Sequence, residues 1–191
     1  MSPDSHEDPD ITHLRQAIDL AARARTRGDH PFGSLLLAPD GSVVAEAMNS
    51  VDTAGDPTGH AETNVVRAVG HLDLDTRAEL TLYTSTEPCA MCAGAIYWAG
   101  VGTVVYALGE DDLREMTGDD PANPTLAMPC RRSSRRAVGR SWYAVRSQST
   151  PHTRSTPVSG STAERRFLTT VRVGSHSVAA GRGSAITLLT R

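Results

Sequence analysis

The chain has 191 residues, 39% of them hydrophobic and 4% aromatic, enough for one domain with its own core plus an appendage. No apolar run approaches a membrane span, and three cysteines, two of them in one CxxC, argue against a disulfide framework and fit a reducing, cytoplasmic compartment. The net charge of −3 hides a split: residues 1–130 hold 21 acids and 7 arginines, a balance of −14, whereas residues 131–191 hold 12 arginines and the single acid Glu164, a balance of +11. The acidic body carries no electrostatic footprint for nucleic acid; only the basic tail offers one.

The start is acidic and proline-containing, which is not the pattern of a secretory leader, and residues 1–11 are expected to be disordered. Leu14, Ala17, Ile18, Ala21 and Ala22 recur at helical spacing and predict an amphipathic helix over about residues 12–27, ended by Gly28-Asp29-His30-Pro31. Two short apolar runs follow, 34–38 and 42–47. Pro39-Asp40-Gly41 joins them with the elements of a tight turn: a fixed φ, an Asx bond and a residue free to take positive φ. Residues 49–59 read as a loop of small and polar residues.

A second helix is predicted from near Thr58 to about Gly70, with Glu62, Val65, Val66 and Val69 on one face. Residues 80–84 read as a strand. Pro88 suits the first turn of a third helix that puts Cys89, Cys92, Ala93 and Ile96 on one side. A strand over 101–107 and a short helix over 110–116 complete the pattern. A hairpin followed by alternating helices and strands predicts a three-layer α/β/α sandwich with a mixed central sheet, antiparallel at the hairpin and parallel through the two crossovers. In residues 131–191 the pattern dissolves: 19 of the 61 residues are Ser or Thr, and a period persists only weakly at 167–173 and 185–189. This tail reads as disordered or poorly packed, with the composition of a GC-rich gene read out of frame.

Within the domain assigned to residues 12–130, one constellation carries chemistry. His60 and Glu62 stand two apart, and Cys89 follows Glu62 by 27 residues with Cys92 three further on. One imidazole and two thiolates make three zinc ligands and leave a fourth position for water, the layout of a catalytic zinc. The competing readings fit less well. A redox CxxC belongs after the first strand of a thioredoxin-like pattern, and a zinc ribbon needs a second CxxC; neither is present. Two thiolates neutralise the formal charge of the ion, so water there is acidified less than at a three-histidine site, and a carboxylate is needed to take the proton. Glu62 lies on the apolar valine face of its helix, so it is expected to turn inward, where an unpaired carboxylate needs a function or a partner. Cys130 has no partner and reads as a free structural thiol.

Pro31-Phe32-Gly33, Asn49, the run from Asp56 to Glu62 and the run from Leu82 to Ala99 together resemble the zinc-dependent cytidine and deoxycytidylate deaminase superfamily. Pro31-Phe32-Gly33 and Gly94-Ala95-Ile96-Tyr97-Trp98-Ala99 look like its bacterial guanine deaminase branch, with the tRNA adenosine deaminases as the nearest alternative. The resemblance implies that His60, Cys89 and Cys92 hold one Zn2+ per subunit and that Glu62 carries protons. It further implies that Asn49 and the Ala61 amide bind the base, that Phe32 and Trp98 wall it in, and that Asp112, or Asp111 beside it, is an acid near the exocyclic amine. It implies a homodimer whose C-terminal segment helps close the site; here the Arg/Ser/Thr tail stands in that place.

Three readings follow. The first is hydrolysis of a free nucleobase, guanine and water giving xanthine and ammonia, or the same chemistry on cytosine, cytidine or guanosine. The second is adenosine-to-inosine editing of a tRNA, for which the acidic body is unfavourable and the tail is the only support. The third is an inactive zinc fold or a tail-mediated nucleic-acid binder, against which the intact Glu62 argues.

Overall fold

The computed structural model describes residues 8–118 and 126–134, and beyond them the backbone at 144–147, 168–171 and 186–189. Helix α1 spans Pro9–Arg27. It starts three residues earlier than its apolar period suggests, because Asp8 caps it, accepting the Asp10 N–H at 3.0 Å, and Pro9 fits the first turn. Asp10 is buried and accepts the Tyr83 hydroxyl at 2.7 Å, so residues 8–11 belong to the fold and not to a disordered arm. Residues 1–7 lie outside the described residues. Gly28 closes the helix at φ 104°, donating to Ala24 and Arg25 carbonyls, a geometry that favours glycine.

Strands β1, Gly33–Leu37, and β2, Val43–Met48, form the expected hairpin. The Asp40 carboxylate accepts the Ser42 N–H at 2.9 Å, and Gly41 has φ 83°. A four-residue helix, α2 at Val51–Ala54, lies in the segment read as loop. Helix α3 covers Ala61–Ala68 and α4 covers Leu74–Glu79. The latter was not anticipated; Asp73 caps it through the Thr76 N–H at 2.8 Å. Strand β3, Thr81–Thr86, leads to α5, Ala90–Ala99, then β4, Thr103–Leu108, and α6, Glu110–Thr117. Cys89 is the N-cap of α5, so Pro88 precedes the helix and is not in its first turn.

The sheet order is β2-β1-β3-β4-β5, where β5 is Ala144–Ser147. β1 pairs antiparallel with β2 and with β3, and β3–β4 and β4–β5 are parallel. The expected mixed sheet is present. The first crossover does return a strand parallel to β2, but β1 lies between the two. The reason is burial: every residue of β1 is buried, whereas Val43 and Val44 of β2 are exposed, as an edge strand tolerates.

Strand alternation assigns the layers. Leu35, Leu37, Tyr83 and Val105 face Leu14, Ala17 and Ile18 of α1. Leu36, Leu82 and Val104 face Val65, Val66 and Ile96 of α3 and α5. The result is the α/β/α sandwich read from the sequence. The first layer is close: a Cβ on Gly33 would lie 2.5 Å from the Ala17 carbonyl oxygen and 2.6 Å from the Ala21 nitrogen. Gly33→Ala is therefore expected to displace α1 and cost about 1–3 kcal/mol, seen as a lower melting temperature; an unchanged melt would contradict this packing.

Within 131–191 the described parts are partly ordered. Helix α7, Cys130–Ser134, straddles the assigned boundary, and β5 joins the sheet. The two weak periods coincide with β6, Leu168–Val171, and β7, Ile186–Leu189, which pair antiparallel. The rest of the expected disordered tail lies outside the described residues.

Candidate active site

The C-terminal ends of β3 and β4 and the start of α3 meet at one place. His60 is the N-cap of α3 and Cys89 the N-cap of α5, with Cys92 in the first turn of α5. Two helix starts thus converge. His60 Nδ1 lies 3.7 Å from Cys89 Sγ and 3.5 Å from Cys92 Sγ, and the three donor atoms lie within 4.8 Å of one another. A tetrahedral zinc with ordinary Zn–S and Zn–N bonds needs S···N edges of about 3.6 Å, so the donor set fits that ion.

The metal-free protonation pattern also suits a metal. The hydrogen bond from Cys92 outweighs burial and, with His60 adding, pulls Cys89 down to about 4. The same bond, with burial and the Glu62 charge, pushes Cys92 up, so it keeps its proton until a cation displaces it. The hydrogen bond with Cys89 raises His60 against the opposing effect of burial.

Glu62 sits in the first turn of α3, 5% exposed. Oε1 lies 3.3 Å from Thr84 Oγ1, and Oε2 accepts from Cys92 Sγ at 3.6 Å. Thr84 in turn accepts from Ser34 Oγ at 2.9 Å, so the sheet holds this carboxylate beside the donor set. Burial raises Glu62, and the Cys89 charge adds to it.

Asn49 is 1% exposed and immobilised by its surroundings. Its N–H donates to the Phe32 carbonyl at 3.0 Å, its carbonyl accepts Arg27 Nη2 at 2.6 Å, and its Oδ1 accepts the Val51 N–H at 3.0 Å. The side-chain NH2 is left as a buried donor with no acceptor among the described residues. The N–H of buried Ala61, at the start of α3, is likewise without a protein acceptor among them. Asn64 pins the intervening loop, donating from Nδ2 to the Met48 carbonyl at 3.1 Å and the Gly59 carbonyl at 3.2 Å.

Asp29 was not anticipated. Its buried carboxylate accepts from Arg27 Nε at 2.7 Å, the Asp52 N–H at 3.1 Å and the Thr53 N–H at 2.9 Å. Burial pushes it up, but the Thr53 and Arg27 bonds prevail and hold it below the ordinary carboxylate range.

The structure does not bring every expected residue together. Phe32 is half-buried next to Asn49. Trp98 is 81% exposed, edge-to-face with Tyr97 at 5.3 Å, because α5 turns Cys92 and Ile96 inward and Trp98 outward; it walls nothing among the described residues. Asp111 is exposed and paired with Arg131, and Asp112 is half-buried.

The acid of α6 that faces the donor set is Glu110, 5% exposed, its carboxylate without a hydrogen-bond partner among the described residues. Burial first, then the charges of Cys89, Glu87 and Glu62, push it up to about 7 from 4.5. The folded protein therefore holds a proton that the unfolded chain releases, and metal-free stability falls as pH rises through that window. Glu110→Gln should flatten this part of the melting-temperature profile of chelator-treated protein; an unaltered slope between pH 5 and 7 would contradict the burial of that carboxylate.

Three zinc donors, a fourth position and a buried carboxylate on this sandwich define a zinc-dependent hydrolase site. The model of the cytidine and deoxycytidylate deaminase zinc-binding region matches residues 7–108, and the chain belongs to that family, whose members hydrolyse C–N bonds. It is 43% identical to a probable cytosine deaminase of Schizosaccharomyces pombe over 129 residues, 66% of this chain and 76% of that protein. It is 42% identical to a guanine deaminase of Bacillus subtilis over 57% of this chain and 70% of that protein. The solved structure of that guanine deaminase superposes with a TM-score of 0.51 over 58% of this chain and 71% of the other, at 40% identity. A tRNA-specific adenosine deaminase of Haemophilus influenzae is 32% identical over 51% of this chain and 57% of its own length. Among the described residues no helix is long and apolar enough to cross a membrane.

Proposed function

We propose that this chain hydrolyses the exocyclic amine of a free nucleobase, guanine and water giving xanthine and ammonia. The observation that carries the reading is the buried Glu62 carboxylate set against the His60, Cys89 and Cys92 donor atoms. When bound, zinc supplies Lewis acidity that makes water a nucleophile near neutral pH. Glu62 takes one proton of the attacking water at its carboxylate and delivers it to the ring nitrogen, then takes the second from the new hydroxyl on the base carbon and delivers it to the amine, which departs as ammonia. Asn49 Nδ2 and the Ala61 N–H are two buried donors matched to acceptors on the base edge, and Phe32 offers the ring a flat apolar neighbour. Asp112 is the acid the family resemblance assigns near the exocyclic amine, and Glu110 of the same turn is the one whose buried carboxylate lies toward the donor set.

The 42% identity to a guanine deaminase and the −14 balance of residues 1–130 support a small neutral substrate over a polyanionic one. A homodimer is part of the reading: Met91 and Trp98 are exposed on one helix, a face a second copy would cover. Cytosine is the second reading, on the 43% identity to a cytosine deaminase.

The test is ammonia release by the zinc-loaded chain from guanine, guanosine, cytosine, cytidine, adenine, adenosine and an anticodon stem-loop, side by side. Release from guanine above all others is expected. Release from cytosine alone, or only from the stem-loop, would replace guanine by that substrate.

A further inference from the structure

Glu87 lies between β3 and Pro88-Cys89, and no part of its side chain reaches solvent. Its backbone N–H extends the parallel ladder to the Leu108 carbonyl at 2.7 Å. Its carboxylate is fully engaged. Oε2 accepts the Glu110 N–H at 3.1 Å and Arg131 Nη1 at 2.8 Å, and Oε1 accepts the Arg131 backbone N–H at 3.4 Å. The second guanidinium nitrogen of Arg131 reaches Asp111 at 2.5 Å. Next to this clamp, buried Cys130 packs on Tyr106 and on Ala93, the residue after Cys92. One short helix thus holds both ends of the CxxC turn, by charge at Glu87 and by packing at Ala93.

We propose that Arg131 is a positioning residue for the zinc thiolates, acting through Glu87 on the placement of Cys89. Arg131 meets both Glu87 oxygens, Oε2 through Nη1 and Oε1 through its backbone N–H, while Asp111 holds its second guanidinium nitrogen, so the carboxylate is fixed in orientation as well as charge. Without Arg131, Glu87 is a buried carboxylate short of its charged partner, and hydrating it requires the Glu87-Pro88-Cys89 segment to open. That segment sets the 3.7 Å separation of Cys89 Sγ from His60 Nδ1. The first residue past the assigned domain boundary is therefore part of the metal site's frame. The inference rests on the zinc site and is independent of which base is deaminated.

The test is the zinc dissociation constant of the full-length chain, measured by competition with a chromophoric chelator, beside its thermal melt. Loss of a group that orients metal ligands typically costs 10–100-fold in affinity, and Arg131→Gln is expected to weaken zinc by about that factor. Arg131→Lys keeps the charge without the two-armed bridge from Glu87 to Asp111 and is expected to lie between it and wild type. Ile18→Val, in the opposite α1 layer, should lower the melting temperature and leave the zinc constant alone, separating ligand placement from general loosening. If Arg131→Gln does not fold, Arg131→Lys decides: weakened zinc supports the proposal. A wild-type zinc constant in the folded Arg131 variants overturns it.

Discussion

Glu62→Gln is expected to lower ammonia release by about 100- to 10,000-fold while zinc remains bound at one ion per chain. The glutamine keeps the shape of a side chain packed beside Thr84 and Cys92, so the donor set stays in place. It removes the carboxylate proposed to accept a proton from water and hand it on. Burial raises Glu62 in the metal-free protein, so ionising it costs folding free energy as pH rises. The chelator-treated variant should therefore be at least as stable as wild type toward alkaline pH. Low activity with a normal zinc content and an undiminished melt separates loss of the proton carrier from loss of the site. Activity within a few-fold of wild type would remove Glu62 from the mechanism.

Removal of zinc is the second large effect. Chelation should abolish activity and lower the melting temperature, both restored by added zinc, because an ion that binds only the folded chain stabilises it by mass action. Its affinity should rise with pH. Cys92 keeps its proton in the metal-free pair, and the bond with Cys89 raises His60, so binding displaces protons. Each proton displaced contributes about tenfold in affinity per pH unit. Titration of the chain with zinc at pH 6, 7 and 8 measures the slope; an affinity flat across that range would show that neither group surrenders a proton to the ion.

Local signals survived into the structure where local physics decides. The turn at Pro39-Asp40-Gly41 forms its Asx bond, and Glu62 follows the valine face of α3 inward. The spacing of His60, Cys89 and Cys92 translates into donor distances because each lies at a helix start, where position is set within one turn. What was not legible depends on the path of the chain. Glu87 and Arg131 are 44 residues apart, and nothing local announces that they meet. Among Glu110-Asp111-Asp112, a helix rotates each neighbour by about 100°, so the acid that faces the donor set is decided by where Gly109 starts the helix. The resemblance points to Asp112 or Asp111, and Glu110 is the one buried. Trp98 presents the converse case: the motif around it suggests a wall, whereas among the described residues the face it occupies is open.

The proposed reaction adds water to a base carbon and expels ammonia. Its most direct test is to offer guanine to the zinc-loaded chain in oxygen-18 water and analyse the product by mass spectrometry. Xanthine labelled at the carbon that lost nitrogen is expected, with one ammonia formed for each. No labelled xanthine and no ammonia, from protein carrying one zinc per chain, would contradict it.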